Sequence, residues 1–510
     1  MVIIYICFFL LYIASDNNYI NYYIFLNHYL KWRVVMKLQK KYLLYAIGLF
    51  CISGGVLAED TPSQKDSEGF VKDSKLDVIS RTMYMISNAR HGGFYPSGGY
   101  AKPEKDRGHA KDFGTSLIGI YQSGYTEGTV GFGIDVIGMT AYKLDGGRGR
   151  SGDGNNGLFP ADGRNGRPQD NVSKLAPSVK MRISKTELKY GQMFVDTPVF
   201  ATQGIDDKLL PEDATGFMLT SQEIDKLTIN AGYFTALRGQ EFSHQDSVAM
   251  DSEFDEKGKT LQRVYFAGLE YQFTDEFSGK VYASRNKDFW RKYYTNLNYS
   301  YEFNKDNAIE FDVNWYQTKS IGKGYADALR ENGDNRRINS DLWSLSAAYT
   351  YKAHTFTVAY QRNSGTGSLG RSGFPYDVDG GGAIAVANSV QYSDFNFENQ
   401  HSWQARYDLD FETYGIPGLN FAVLYVKGSN ATNENDNYRR NGKAWERDIE
   451  LSYTIPEGKA KDLSFTLRHA AYRSNFGGGT DDSVNGYHNP HGRDNLDELR
   501  LIVQYPLSIL

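Results

Sequence analysis

Apolar and polar residues alternate along most of the chain, in stretches of about ten residues. Trp403 and Tyr407, for example, fall on one side of an extended chain, and Arg406 and Asp408 fall on the other. This period of two is typical of β-strands. Further clear stretches occupy residues 129–142, 176–185, 226–235, 263–273, 292–303, 308–317, 342–351 and 445–455. With weaker segments included, the pattern predicts about 18 strands.

The connections between these stretches alternate between short and long. Short turns separate Tyr351 from Thr355 and Phe273 from Phe277, whereas long polar segments occupy residues 146–174, 239–262, 321–341, 363–400 and 475–497. Short turns at one rim and long loops at the other are typical of an all-β, up-and-down antiparallel barrel in an outer membrane, with the long loops extracellular.

Alternation alone also fits a soluble sandwich, in which the apolar side of each strand faces a core. Aromatic residues near strand ends favour the transmembrane barrel, because such residues form girdles at membrane interfaces. They include Tyr293, Tyr299, Tyr301, Phe303, Trp343, Tyr349 and Tyr351. We therefore predict that the apolar faces contact lipid.

Residues 36–58 have the pattern of a secretory signal peptide, with three lysines before the apolar run 42–50 and a tolerable cleavage site at 56–58. Residues 59–510 are then predicted to form a single transmembrane barrel domain. Residues 1–35 hold another apolar stretch of about 13 residues, whereas a spanning helix needs about 20. We interpret them as an upstream extension that is absent from the mature protein, with a membrane anchor as the alternative.

Composition narrows the class further. The chain has 510 residues, with 38 Tyr, 29 Phe and 52 Gly, which favours strands joined by turns. Both cysteines, Cys7 and Cys51, fall in the segments predicted to be removed, so no disulfide or cysteine-bound metal is expected. Removal of residues 1–58 takes away five basic residues and one acid, so the net charge falls from -5 to about -9. An acidic protein of this kind is a poor candidate for nucleic-acid binding. No motif for a metal, a cofactor or catalysis is present, so we predict no enzyme.

If apolar residues face lipid, the residues between them line a lumen. The inward set then contains six basic residues from near the two ends of the chain: Arg81, Lys180, Arg182, Arg406, Arg468 and Arg500. Because a closed barrel joins its first and last strands, we predict that they share one wall and guide anions, since guanidinium groups pair with carboxylates. The alternative is that they only balance the inward acids, which are Asp135, Asp408, Asp410, Glu446, Asp448 and Glu450.

Residues 191–217 interrupt the alternation with a long segment that contains two prolines. We expect this third loop to fold into the lumen and to narrow it, with an ordinary external loop as the alternative. The predicted constriction residues are Asp196, Pro198, Asp206, Asp207, Lys208, Pro211 and Glu212.

Several segments in this order resemble the OprD-type outer-membrane porins. They are GFVKDSKLDVISRTMY (69–84), LKYGQMFVDTPVF (188–200) with LLPEDATGF (209–217), AHTFTVAYQRNSG (353–365), YGIPGLNFAVLYVKG (414–428), AKDLSFTLRHA (460–470) and RLIVQYPLSIL (500–510). The resemblance covers residues 59–510 and implies a substrate-selective channel whose basic ladder maps onto Arg81, Arg182, Arg406 and Arg468. Leu424 stands where relatives often carry an inward arginine, which leaves the preferred substrate open.

The resemblance implies passive diffusion of small carboxylate-bearing solutes: amino acids, cyclic or aromatic acids, and carbapenem-type antibiotics. The alternatives are an outer-membrane hydrolase and an adhesin barrel without a channel. The expected partners are these solutes, outer-membrane lipid and lipopolysaccharide, and the barrel-assembly machinery. A monomer and a weak trimer both remain open.

Overall fold

Strands of period-two alternation close into a barrel in the computed structural model. The structure describes residues 62–89, 109–145, 158–162, 167–202, 204, 208–247, 263–322, 337–366, 384–433, 439–476 and 495–510. The predicted extension 1–35 and signal peptide 36–58 lie outside these residues and stay predictions.

Within the described residues, eighteen strands form the barrel wall. They are β1 (Lys75–Ala89), β2 (His109–Gln122), β3 (Val130–Asp145), β4 (Asn171–Ile183), β5 (Thr186–Met193), β6 (Asp213–Ile224), β7 (Leu227–Arg238), β8 (Val264–Gln272), β9 (Phe277–Asn286), β10 (Trp290–Asn304), β11 (Asn307–Ser320), β12 (Asn339–Tyr351), β13 (His354–Thr366), β14 (His401–Asp410), β15 (Leu419–Asn433), β16 (Arg439–Thr454), β17 (Ser464–Ser474) and β18 (Asn495–Ser508). Shorter pieces are Asp246–Ser247, which pairs with β7, and two hairpins of two-residue strands, Ala161–Asp162 with Arg167–Pro168 and Asp196–Thr197 with Phe200–Ala201. The described 3-10 helices are Gln64–Asp66 and Glu412–Tyr414.

Each wall strand pairs antiparallel with its neighbours in the chain, and β18 pairs with β1 to close the barrel. Arg81 of β1 thus lies opposite both Ser116 of β2 and Gln504 of β18. The predicted up-and-down topology and strand number are confirmed. No helix among the described residues is long and apolar enough to cross a membrane.

The burial of side chains distinguishes a transmembrane barrel from a soluble sandwich, the two folds that fit the alternation. In the middle of β4 Leu175 is 60% and Val179 55% exposed, whereas Lys174, Ser178 and Lys180 are buried. On β14 Trp403 is 62% exposed and its neighbour Ser402 is fully buried. A wall with polar residues inside and apolar residues outside is the pattern of a barrel in lipid.

The two rims differ as the sequence predicts. Several turns of one rim have only two residues, and Ser184, Lys226 and Lys352 adopt positive φ there, as tight hairpins require. The short-turn rim of an outer-membrane barrel faces the periplasm. The other rim carries the longer connections. The described parts of two of them are 194–202, 204 and 208–212, here called loop L3, and 384–400, here called loop L7.

Candidate functional site: the channel

Loop L3 lies inside the barrel along the inner wall. Val195, Val199 and Phe200 are buried, and the Phe200 ring centroid lies 5.0 Å from that of Phe234 on β7 and 6.1 Å from that of Phe266 on β8. Aromatic pairs at these distances stabilise the contact beyond the buried area alone. The predicted inward fold of the third loop is confirmed.

The second half of L3 reaches the opposite part of the wall. Ser116 Oγ donates to the Leu209 carbonyl over 2.8 Å, and Lys174 Nζ donates to the Pro211 carbonyl over 3.0 Å. Gly114 on β2 allows this approach, because a Cβ there would lie 2.6 Å from Leu209 Cδ1. L3 therefore contacts the wall from β2 to β11 and narrows the lumen.

The predicted constriction residues have different surroundings. Asp196 is exposed, whereas Glu212 is 2% exposed and Lys208 pairs with the buried Glu241 of the next long-rim loop. Burial raises the pKa of Glu241, and the Lys208 ammonium opposes this shift. Pro198 and Pro211 contribute backbone carbonyls that accept hydrogen bonds from the wall. Asp206 and Asp207 lie outside the described residues.

Loop L7 also lies inside the barrel, which the sequence reasoning missed. The hydroxyl of Tyr316 on β11 joins the two loops: it donates to the Pro198 carbonyl of L3 over 2.8 Å and accepts from the Ala385 N–H of L7 over 3.0 Å. Ile384 and Val386 pack in the same apolar cluster as Phe200. The lumen is therefore narrowed by two loops that share one support.

Two wall acids hold the middle of L7. Glu446, which is fully buried, accepts the N–H groups of Tyr392 over 2.7 Å and Ser393 over 3.0 Å, and Asp448 accepts the N–H of Gln391 over 3.2 Å. A buried backbone N–H that lost its acceptor would destabilise the loop, so these bonds hold the segment 391–393 in place. These acids, which the sequence predicts only as inward charges, anchor the loop. A sequence signal for the inward position of Ile384 and Val386 is the small, apolar stretch at 383–387 within an otherwise polar loop.

Three of the predicted ladder arginines lie on β14, β17 and β18, each beside an acid. Arg406 makes a bidentate pair with Asp408 through Nε–Oδ2 at 2.8 Å and Nη2–Oδ1 at 2.6 Å. Arg468 Nε donates to Glu450 over 2.6 Å, and Arg500 Nε donates to Glu498 over 2.7 Å; the latter acid was not predicted. The arrangement is a wall of neighbouring positive and negative groups, which agrees in part with the charge-balance alternative.

The other three ladder residues lie on β1 and β4. Arg81 Nη1 donates to Gln504 Oε1 over 2.7 Å, and Lys180 pairs with Asp135 at 2.7 Å. Arg182 lies with its guanidinium carbon 3.9 Å from the ring centroid of Tyr125. The six residues thus extend from β14 through the closure to β4, about half of the circumference. That they act together as a path for anions stays a prediction.

The first described residues cap the periplasmic end of this wall. Gln64 is 3% exposed, its Oε1 accepts from Arg182 Nε over 3.1 Å, and its Nε2 donates to the Thr126 carbonyl over 2.8 Å. Burial and the nearby Glu187 raise the pKa of Tyr125, so the phenol stays protonated and donates to Glu187. Arg182 is therefore held between a neutral amide and an aromatic ring.

Replacing Gln64 with glutamate should lower the anion preference of the channel, because a carboxylate would then pair with Arg182. Gln64→Ala should raise it, since the guanidinium loses its amide partner. The measurement is the reversal potential across a planar bilayer with a KCl gradient. Lys65→Gln, which changes the charge of an exposed neighbouring residue by the same amount, is the control. Identical reversal potentials for Gln64→Glu and Lys65→Gln would show that the Arg182 contact does not matter.

Among the described residues, no group of three or more His, Cys, Asp or Glu side chains is arranged to hold a metal ion. Hydrogen bonds, ion pairs and apolar contacts join the wall to the two inward loops. An arrangement of this kind can bind and orient a small polar solute that passes through.

Comparison with known proteins agrees with this geometry. The sequence pattern of the outer membrane porin, OprD family, matches residues 68–509. The chain is 38% identical to Porin D of Pseudomonas aeruginosa over 461 residues, 88% of this chain and 94% of that protein, and 31% identical to the porin-like protein GalP of Pseudomonas putida over 457 residues, 89% and 97%. The crystal structure of Pseudomonas aeruginosa OpdK with vanillate superposes with a TM-score of 0.70 at 28% identity, covering 86% of this chain and 100% of that one. The chain belongs to the OprD family of porins in the bacterial outer membrane.

Proposed function

We propose that this porin mediates passive, selective diffusion of small carboxylate-bearing solutes, and that zwitterionic amino acids pass better than simple anions. The observation that carries the proposal is the set of ion pairs on β14 and on β16 to β18, with the inward Leu424 of β15 between them. Glu450 lies beside Arg468 in the cross-strand register, and Arg468 lies beside Arg500. Arg406 with Asp408 continues this set toward β14.

A zwitterion can exchange partners with such a wall. The carboxylate of the zwitterion replaces Asp408 as the partner of Arg406, and its ammonium group pairs with the released Asp408. Arg406 and Asp408 therefore both keep an oppositely charged partner. A simple anion displaces an acid and leaves that acid without a partner in a narrow lumen, which costs free energy. Affinity at each position stays weak because every contact replaces an existing one, and weak binding at several sites permits release.

Cyclic and aromatic acids, with carbapenem-type antibiotics, form the second group of proposed solutes. The relative OpdK was crystallised with vanillate, which carries a carboxylate. The relatives found are porins, and we propose no catalytic step.

Replacing Arg406 with alanine tests the role of the ion pairs. We expect entry of glycine and benzoate into liposomes to slow by about tenfold, which corresponds to about 1.4 kcal/mol, while entry of a neutral solute of similar size changes little. The measurement is the rate of swelling of proteoliposomes. Arg447→Ala, which removes an arginine exposed on the outer face of β16, is the matched control. Equal slowing of charged and neutral solutes would mean that Arg406 only supports the structure.

A further inference from the structure

The periplasmic turn between β14 and β15, residues 411–418, presents apolar side chains on a well-defined backbone. Tyr414 is 58% and Ile416 46% exposed. The Ile416 N–H donates to the Phe411 carbonyl over 3.1 Å, and the Phe411 N–H donates to the Leu419 carbonyl over 3.0 Å. These hydrogen bonds close the turn upon itself, so the two exposed side chains have a fixed position at its tip.

A contact with the outer face of the barrel defines the direction of this turn. Tyr414 Oη lies 3.1 Å from His354 Nε2, and His354 is the first residue of β13. His354 shares its face of the strand with Phe356, which is 54% exposed, whereas Thr357 of the opposite face is buried. His354 therefore lies on the lipid side of the wall, and Tyr414 packs against that side.

A series of aromatic contacts links the turn to the girdle of the membrane interface. The ring centroids of Phe356 and Tyr407 lie 5.1 Å apart on the outer face. The His354 ring follows, 6.0 Å from that of Tyr407 and 6.3 Å from that of Tyr414. His354 Nδ1 also lies 2.8 Å from Tyr407 Oη. Since aromatic rings near strand ends are typical of the interface, Tyr414 extends this girdle beyond the strands.

The length of this series gives the level of the turn in the membrane. The short-turn rim faces the periplasm, so the nearest leaflet is the inner one. The head-group zone adds about 5 to 7 Å to the hydrocarbon core on each side. The Tyr414 ring lies 6.3 Å from the ring of His354, which stands at the end of a wall strand. The turn therefore lies within the head-group zone.

The charged residues beside the turn suit this level. Lys352, in the neighbouring turn, is exposed, and its Nζ lies 5.4 Å from the ring centroid of Tyr351. The two turns are adjacent, because the Asp410 N–H donates to the Ala353 carbonyl over 3.0 Å. A lysine at this level can place its ammonium group among phosphates while its methylene groups cover apolar surface. Glu412 is exposed, and at the interface its carboxylate keeps contact with water.

We propose that the 411–418 turn is a binding surface for phospholipid of the inner leaflet, in which Tyr414 and Ile416 insert between head groups and Lys352 contacts a phosphate. Exposed apolar side chains that are continuous with a lipid-facing wall fit lipid better than a periplasmic protein. The continuity runs through Phe356 and Tyr407. Because Tyr414 packs on the outer face, this contact is independent of the solute that the channel carries.

A fluorescent label on the turn tests the contact. Cys7→Ser and Cys51→Ser remove both cysteines of the chain, so that Ile416→Cys can be labelled with a nitrobenzoxadiazole group. The protein is refolded into vesicles of phosphatidylethanolamine and phosphatidylglycerol with iodide on both sides. Iodide should quench this label at least about tenfold less than a label at Glu457→Cys, because an apolar side chain at 416 prefers the membrane to water. Glu457 is exposed in the 455–463 turn of the same rim and is the matched control.

Two further measurements complete the test. A nitroxide on the lipid head group should quench the label at 416 strongly and the label at 457 little. Adding Tyr414→Ser should return iodide quenching at 416 toward that at 457, because the contact with His354 is lost. No other protein is present in the vesicles, so protection at 416 comes from lipid.

The comparison of positions 416 and 457 stands even if the Tyr414→Ser variant does not refold. Equal iodide quenching at the two positions would overturn the proposal and leave the turn in water, accessible to a periplasmic protein. Equal nitroxide quenching at both positions, or unchanged protection at 416 in a folded Tyr414→Ser variant, would overturn it as well.

Discussion

Replacing Phe200 with alanine is expected to raise the single-channel conductance and to weaken discrimination between solutes. Phe200 is 1% exposed and packs between Phe234 and Phe266, so it fixes the first half of L3 to the wall. Replacing a buried phenylalanine with alanine lowers the stability of the packed structure by about 3 to 5 kcal/mol. Because the wall strands close the barrel without contacts from L3, this loss falls mainly on the loop, which then leaves the wall and widens the lumen.

The control for this change lies in the same loop. Phe194→Ala removes a ring that is 38% exposed and should leave the conductance close to that of the unaltered protein. Both variants are compared in a planar bilayer after their folding is checked by heat-dependent gel mobility. An unaltered conductance in a folded Phe200→Ala protein would contradict the assignment of L3 as a constriction held by this ring.

The second large effect is expected from Glu446→Ala. This carboxylate accepts the N–H groups of Tyr392 and Ser393, and its removal leaves two amides of L7 without their acceptor. Leaving a buried donor without its acceptor costs about 1 to 3 kcal/mol, and two such losses should make the detached form of L7 at least about tenfold more populated. Frequent transitions to a second conductance level would report this detachment.

Two further variants sharpen the Glu446 experiment. Glu446→Gln keeps one acceptor oxygen and should show fewer transitions than the alanine variant. Glu457→Ala, at an exposed position of a periplasmic turn, should show none beyond those of the unaltered protein. Steady traces for Glu446→Ala would mean that the other contacts of L7 hold it without Glu446, such as the hydrogen bond from Gln361 Nε2 to the Asp394 carbonyl at 2.7 Å.

The barrel could be predicted from the sequence because its signals are local. A lipid-exposed strand must alternate at every residue, so Trp403 and Arg406 already indicate opposite faces. The same regularity places Arg468 and Arg500 in the lumen before any partner is known. The inward fold of L3 was predicted from its length, its prolines and the family resemblance.

The contacts inside the lumen could not be predicted in the same way, because they join residues far apart in the chain. Nothing local relates Gln64 to Arg182, or Tyr392 to Glu446. Loop L7 resembles an ordinary external loop in its polarity, and its inward fold depends on wall acids that lie about fifty residues later. The basic residues spread over half of the barrel because nine wall strands, β14 to β18 and β1 to β4, carry or separate them. Apolar–polar alternation assigns each residue to the inner or outer face, but it does not give its position around the barrel.

Single-channel conductance of the refolded protein in a planar bilayer tests the central claim most directly. The current is recorded alone and then with arginine, benzoate or glucose added on one side. The account predicts small, discrete steps that arginine interrupts most strongly, benzoate less and glucose not at all. Steps that all three solutes leave unchanged, or that glucose interrupts as strongly as arginine, would contradict selective passage along the ion-paired wall.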